Sequence, residues 1–148
     1  MKHRNRCLVV ALLAVGCKPT PPVRECLPYS PTLMQRFTDG LIRKDFRLAN
    51  AWAVKSDRMM DTVPGYFVSA DIVAPNGEAV VGTWLTDNIT TGGKIYSVST
   101  LATKYSNWGG VGDRASAGAD MGTGGAKESV ACVLTHRAVV APAASSTP

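Results

Sequence analysis

The chain has 148 residues, 45% of them apolar and 18% charged, with 14 Gly, 9 Pro, 4 Cys and a formal charge of +5. That length suits a single domain, and the apolar fraction excludes a disordered chain. Of the 16 Lys and Arg, three (Lys2, Arg4, Arg6) sit in the first six residues; the other 13 face 11 Asp and Glu, a net of about +2 without a basic stripe, which argues against nucleic-acid binding.

Those first cations precede Cys7 to Val15, an uninterrupted apolar run. It has the length of a signal-peptide core and falls well short of the roughly 18 to 20 residues that span a bilayer. Ala14-Val15-Gly16-Cys17 follows, small residues ending on a cysteine. This segment resembles the lipobox of bacterial lipoproteins, commonly Leu, a small or aliphatic residue, Gly or Ala, then Cys; here Ala14 stands in the Leu position. The resemblance implies that residues 1–16 are removed, that the Cys17 thiol carries a lipid, and that the protein is held at the outer face of the cell membrane. Lys18 in place of Asp implies no inner-membrane retention signal. Ala14 and Gly16 also satisfy an ordinary signal-peptidase site, which would release a soluble secreted protein, but a Cys at the cut favours the anchor.

With Cys7 in the signal and Cys17 lipidated, Cys26 and Cys132 remain. Two cysteines in an oxidising compartment predict one disulfide. Closing a loop of roughly a hundred residues is worth about 4 to 5 kcal/mol by chain entropy. Two lone cysteines have no redox Cys-x-x-Cys spacing, and with His136 as the one mature histidine they form no zinc set.

Residues 17–31 carry Pro19, Pro21, Pro22, Pro28 and Pro31 and read as a stiff tether. From Thr32, a plausible N-cap behind Pro31, the spacing of Leu33, Met34, Phe37, Leu41 and Ile42 predicts an amphipathic helix whose last turn Gly40 weakens. Arg47 to Lys55 alternates Leu48, Asn50, Trp52 and Val54 against Ala49, Ala51 and Ala53; this favours a strand, although the alanines also permit a continued helix. Ser56 to Thr62, with Asp57, Arg58 and Asp61, reads as a polar connection.

Tyr66 to Ala74 and Glu78 to Thr86 predict a hairpin closed by a two-residue Asn76-Gly77 turn, which would pair Val73 with Val80, Ala70 with Thr83 and Asp71 with Gly82. Its faces would then hold Val68, Ala70, Ile72, Val81 and Leu85, and Phe67, Ser69, Val73, Val80 and Trp84, so the hairpin sits inside a sheet covered on both sides. Lys94 to Val98 is a short fourth strand. Ser99 or Thr100 caps a helix reaching about Asn107, Gly109 to Gly125 is a surface loop, and Ala126 to about His136 is a helix with a Val130, Val133 and Leu134 stripe. Residues 138–148 are an Ala/Ser/Pro-rich disordered tail.

The order predicts a single α+β domain over 32–137: an N-terminal helix, a three- or four-stranded antiparallel meander and two C-terminal helices. Trp52 to Asp57, Phe67 to Ile72 and Lys104 to Trp108 resemble small exported actinobacterial proteins without an assigned activity, a likeness that implies an architecture and no reaction.

Catalytic candidates are sparse. His136 has no Ser or Asp placed beside it by local sequence. Gly110 to Ala115 fits Gly-x-Gly-x-x-Ala but lacks the strand-to-helix setting of a dinucleotide loop. Asp113 and Asp120 lack calcium-loop spacing. Asn88-Ile89-Thr90 matches a glycosylation acceptor with no use behind a signal of this type. Asp71, alone inside an apolar strand, reads as the exposed polar side of the pleat; buried, it would need a partner. Trp52 and Trp84 are assigned to the core, and Trp108 with Tyr105 to an interaction surface.

These features favour a non-enzymatic envelope module, partnered by the membrane through Cys17 and by an envelope protein, with no cofactor, metal or nucleic acid. The alternative is an envelope hydrolase or small-ligand binder using Asp71 or the Gly109 to Gly125 loop.

Overall fold

The computed structural model describes residues 23–109 and 118–137. The expected export signal over 1–16, Cys17 and residues 18–22 of the expected tether, the Gly110 to Ala115 motif with Asp113, and the expected tail over 138–148 lie outside the described residues. The architecture is α+β: helix α1 (Pro31–Asp39), strands β1 (Arg47–Met60), β2 (Val63–Val73), β3 (Ala79–Thr86) and β4 (Ile95–Ser97), then α2 (Thr100–Tyr105) and α3 (Ala126–Arg137). The four strands form one antiparallel sheet in sequence order.

The cap of α1 is Ser30 rather than Thr32. Its side chain accepts from Leu33 N, and Pro31 occupies the first helical position, where a missing N–H breaks no helical bond. Gly40 ends the helix, so Leu41 turns inward and Ile42 is left exposed.

The strand reading of Arg47 to Lys55 holds, and β1 runs on through Met60. The supposed connection shrinks to a turn at Asp61-Thr62, with Asp61 at φ 53°. Asn50, at φ 46°, forms a bulge: Ala49 pairs with Asp71 and Trp52 with Ser69, leaving Asn50 and Ala51 together opposite Ala70. The extra residue breaks the simple alternation. Leu48, Ala51 and Ala53 join one face, while Ala49, Trp52 and Val54 point to the other.

The β2–β3 register differs by one residue from the two-residue turn. Ala74 N donates to Glu78 O at 2.8 Å and Gly77 N to Ala74 O at 2.9 Å, so the loop is Pro75-Asn76-Gly77, and Val73 pairs with Ala79, Ile72 with Val80 and Ala70 with Gly82. Pro75 pre-sets the first turn residue and Gly77, at φ 86°, supplies the left-handed position of a three-residue hairpin. A one-residue slip exchanges faces along a whole strand. Trp84 and Val80 therefore join Val68, Ala70 and Ile72, Val81 and Leu85 take the other face, and Asp71 lies opposite Val81.

The first face packs on α1 and α2 through Leu33, Phe37, Leu41 and Ala102; Phe37 and Trp84 rings meet at 5.1 Å, and Trp84 Nε1 donates to Ser106 Oγ at 3.0 Å. Ser99 caps α2, accepting from Ala102 N. The second face carries Val54, Phe67, Ser69, Asp71 and Leu85 toward α3. The inner side of that helix is Ala126, Ser129, Cys132 and Val133; Leu134, expected in the stripe, is 51% exposed, and Val130 is half-buried. Small side chains at 126 and 129 allow close approach, and a buried hydroxyl chain fills the contact: Ser69 Oγ lies 2.8 Å from Thr83 Oγ1 and 2.7 Å from Ser129 Oγ.

Cys26 and Cys132 form a disulfide with a Cα separation of 5.8 Å. Leu27 exchanges both backbone bonds with Ala53, at 2.8 and 3.0 Å, so at this point the described part of the stretch read from its prolines as tether pairs with the outer edge of β1.

Candidate functional site

Asp71 is 4% exposed, a correction to its placement on the open side of the pleat. Its position in β2 points it toward α3, whose last residue reaches it: Arg137 Nε donates to Oδ2 at 3.2 Å and Nη2 pairs with Oδ1. This pairing keeps Arg137 charged, raising its pKa chiefly through the Asp71 hydrogen bond. The bulge residue Asn50 contributes the third contact, its Nδ2 donating to Asp71 Oδ2 at 3.3 Å and to Val133 O at 2.8 Å. Trp52 Nε1 in turn donates to Asn50 Oδ1 at 3.2 Å.

His136 stacks on Trp52 with ring centroids 3.8 Å apart. Its Nδ1 lies 2.8 Å from Cys132 O, and since a carbonyl can only accept, Nδ1 carries the proton. The histidine thus closes the last turn of α3 and covers the indole. With Arg137 donating to both Asp71 oxygens and Asn50 to Oδ2, the arrangement is suited to orienting a guanidinium rather than to abstracting a proton.

Beside the end of α3 the described residues line a cleft of about 670 Å³. Ala49, Val73 and Ala79 form its floor, and Arg47, Asp71 and Arg137 stand around it. Among the described residues the Arg47 side chain has no hydrogen-bond or ion-pair partner, its backbone being paired with Val73.

The other candidates lie apart. Trp108 is half-buried, its indole turned in over Gly40 with Nε1 enclosed and without an acceptor among the described residues, and the Tyr105 ring lies tilted against Phe46 at 5.5 Å. Both belong to the α1/α2 layer, on the opposite side of the sheet from Asp71. Asp57 pairs with Arg24 at 2.5 Å and Asp61 with Lys94. Asp120 Oδ1 accepts from Gly122 N, and Asn88 Oδ1 from Thr90 N and Thr91 N, so both serve local turns.

Asn50, Arg47 and Arg137 were not singled out by the sequence. The available signal was the carboxylate itself: an Asp within a strand of apolar residues needs a donor, and Arg137 closes the last apolar helix. Comparison with known proteins gives no match to a family model, a curated protein or a solved structure.

Proposed function

We propose that the protein is an exported, lipid-anchored envelope module that works by binding rather than by catalysis. The Cys26–Cys132 disulfide carries this reading: a cross-link between the entering chain and the final helix belongs to an oxidising compartment. Cys17 lies nine positions before Cys26, so an anchor there would hold the domain close to the membrane. Among the described residues no helix is long and apolar enough to cross a membrane.

The entry direction supports an outward-facing binding surface. Leu27 lies opposite Ala53, while Arg24 reaches Lys55 O and Asp57, so toward the N-terminus this segment runs to the Met60 end of β1. Arg47 and the Asp71 cleft lie at the other end, about 20 Å from Ala53 along the strand. A second reading, small-ligand binding in that cleft, is favoured by its two guanidinium groups; hydrolysis is disfavoured because Asp71 is already engaged.

Metabolic labelling with a palmitate analogue tests the anchor. Wild type is expected to label and Cys17→Ser not; equal labelling of the two, or none in wild type, overturns it.

A further inference from the structure

We propose that the cleft beyond the end of α3 is a binding site for a small organic anion, with the anionic group between Arg47 and Arg137 and a short apolar body on Ala49, Val73 and Ala79. The proposal deepens the reading of the domain as a binding module by giving the ligand's class.

Charge is the first argument. Arg137 and Asp71 neutralise one another, and Arg47 adds a cation with no side-chain partner among the described residues, so the described lining carries a net charge of about +1 and suits a monoanion. Orientation is the second. The Asp71 side chain is 6% exposed and that of Arg137 43% exposed, so the carboxylate holds the guanidinium from beneath while part of it faces the opening. Nε and Nη2 are occupied by Asp71, and the remaining N–H groups are in place for an incoming oxygen without further ordering. Shape is the third. The floor is built of small side chains at 49 and 79 with Val73 between them, and about 670 Å³ is within the range of small-molecule sites. Inorganic phosphate would leave that floor empty, and a primary ammonium would meet two cations.

Calorimetric titration of the full-length protein with sodium hexanoate, inorganic phosphate and hexylammonium chloride tests this, with amide shifts in NMR locating the site. Hexanoate is expected to bind with a Kd on the order of 1 mM and to move the Gly77 and Ala79 amides, with phosphate at least about tenfold weaker and hexylammonium silent. Arg47→Gln is expected to weaken hexanoate about tenfold while leaving the melting temperature unchanged, and Arg47→Lys to restore part of the affinity. Absence of hexanoate binding, equal binding of hexylammonium or phosphate, or an Arg47→Gln variant that binds like wild type would overturn the proposal. Palmitate labelling at Cys17 does not depend on the cleft, so failure of the anchor and failure of the site give separate results.

Discussion

Arg137, the last residue of α3, grips Asp71 in the middle of the sheet across 66 positions of sequence. The carboxylate is covered and the guanidinium is partly open, so the two sides of the pair differ in what their loss leaves behind. Arg137→Leu strands a buried anion with only Asn50 as donor. It is expected to cost about 1 to 3 kcal/mol, below the figure for a fully buried pair because the arginine is partly solvated. Asp71→Asn keeps the shape and should cost less. Urea denaturation of the single and double variants measures the coupling, and additivity would show that the pair contributes nothing.

Reduction of the disulfide, or Cys26→Ser with Cys132→Ser, is expected to lower stability by about 3 to 5 kcal/mol, since the bond closes a span of 106 residues. The loss should also be local. Leu27 and Ala53 exchange backbone bonds next to the cross-link, so their amides should lose hydrogen-exchange protection before those of β2 and β3.

The buried hydroxyls of Ser69, Thr83 and Ser129 form a directed chain. Ser129 Oγ donates to Ala126 O at 2.7 Å and thereby spends its single proton, so Ser69 must donate to Ser129 and Thr83 to Ser69. Ser129→Ala leaves one of the two protons of the Ser69–Thr83 hydroxyl pair without its acceptor at a fully buried contact, at a cost of about 1 to 3 kcal/mol. Adding Ser69→Ala should cost less than the two changes summed, as chemical denaturation of the double variant would reveal.

Gly82 in β3 is held by crowding rather than by backbone conformation. A Cβ there would lie 2.6 Å from Trp84 Cη2 and 2.8 Å from Ile72 Cδ1. Gly82→Ala should therefore destabilise by about 1 to 3 kcal/mol through overpacking, although alanine is normally the better strand residue. A rise in melting temperature would contradict the tight contact.

Acid stability has a defined sign at Asp57. The hydrogen bond from Arg24 holds its carboxyl below the ordinary range in the folded state. Its contribution is complete above the unfolded pKa and is lost as pH falls through the folded value. Asp57→Asn should lower stability in the neutral region, where that contribution is complete, and converge with wild type as pH falls below the folded value, giving a flatter acid limb; an unchanged difference between the two across pH would mean that solvent screens the pair.

Legibility in the sequence followed the range of each interaction. Short-range chemistry was readable in part: the weak last turn of α1 at Gly40, the strands of the hairpin, and a cap at Ser99 or Thr100 before α2 are set by neighbours within a few residues, whereas the cap of α1 falls on Ser30 and not on Thr32. Three failures share another origin. The turn reading chose Asn76-Gly77 over Pro75-Asn76-Gly77, a difference of one residue that moved Trp84 to the opposite face. The bulge at Asn50 broke an alternation that looked continuous, because Asn tolerates a left-handed backbone without announcing it. The α3 stripe favoured Leu134 for its hydrophobicity, whereas docking used Ala126 and Ser129 for their small size.

The candidate site was legible only in Asp71. A carboxylate between Ala70 and Ile72 states that it needs a partner if covered, but neither the cover nor the partner is local. Arg137, Asn50 and Arg47 are distributed over a helix end, a bulge and the start of a strand.

By itself the sequence determined the α+β class, the order of helices and strands and the pairing of Cys26 with Cys132, because periodicity, turn residues and cysteine count are properties of the chain read locally or summed. Tertiary structure alone decided which side chains share a face and that Asp71 is buried beneath Arg137 at the edge of an open cleft. Those outcomes depend on a one-residue register, the bulge at Asn50 and the rotation of α3 about its axis, and each is selected by packing between segments far apart in sequence.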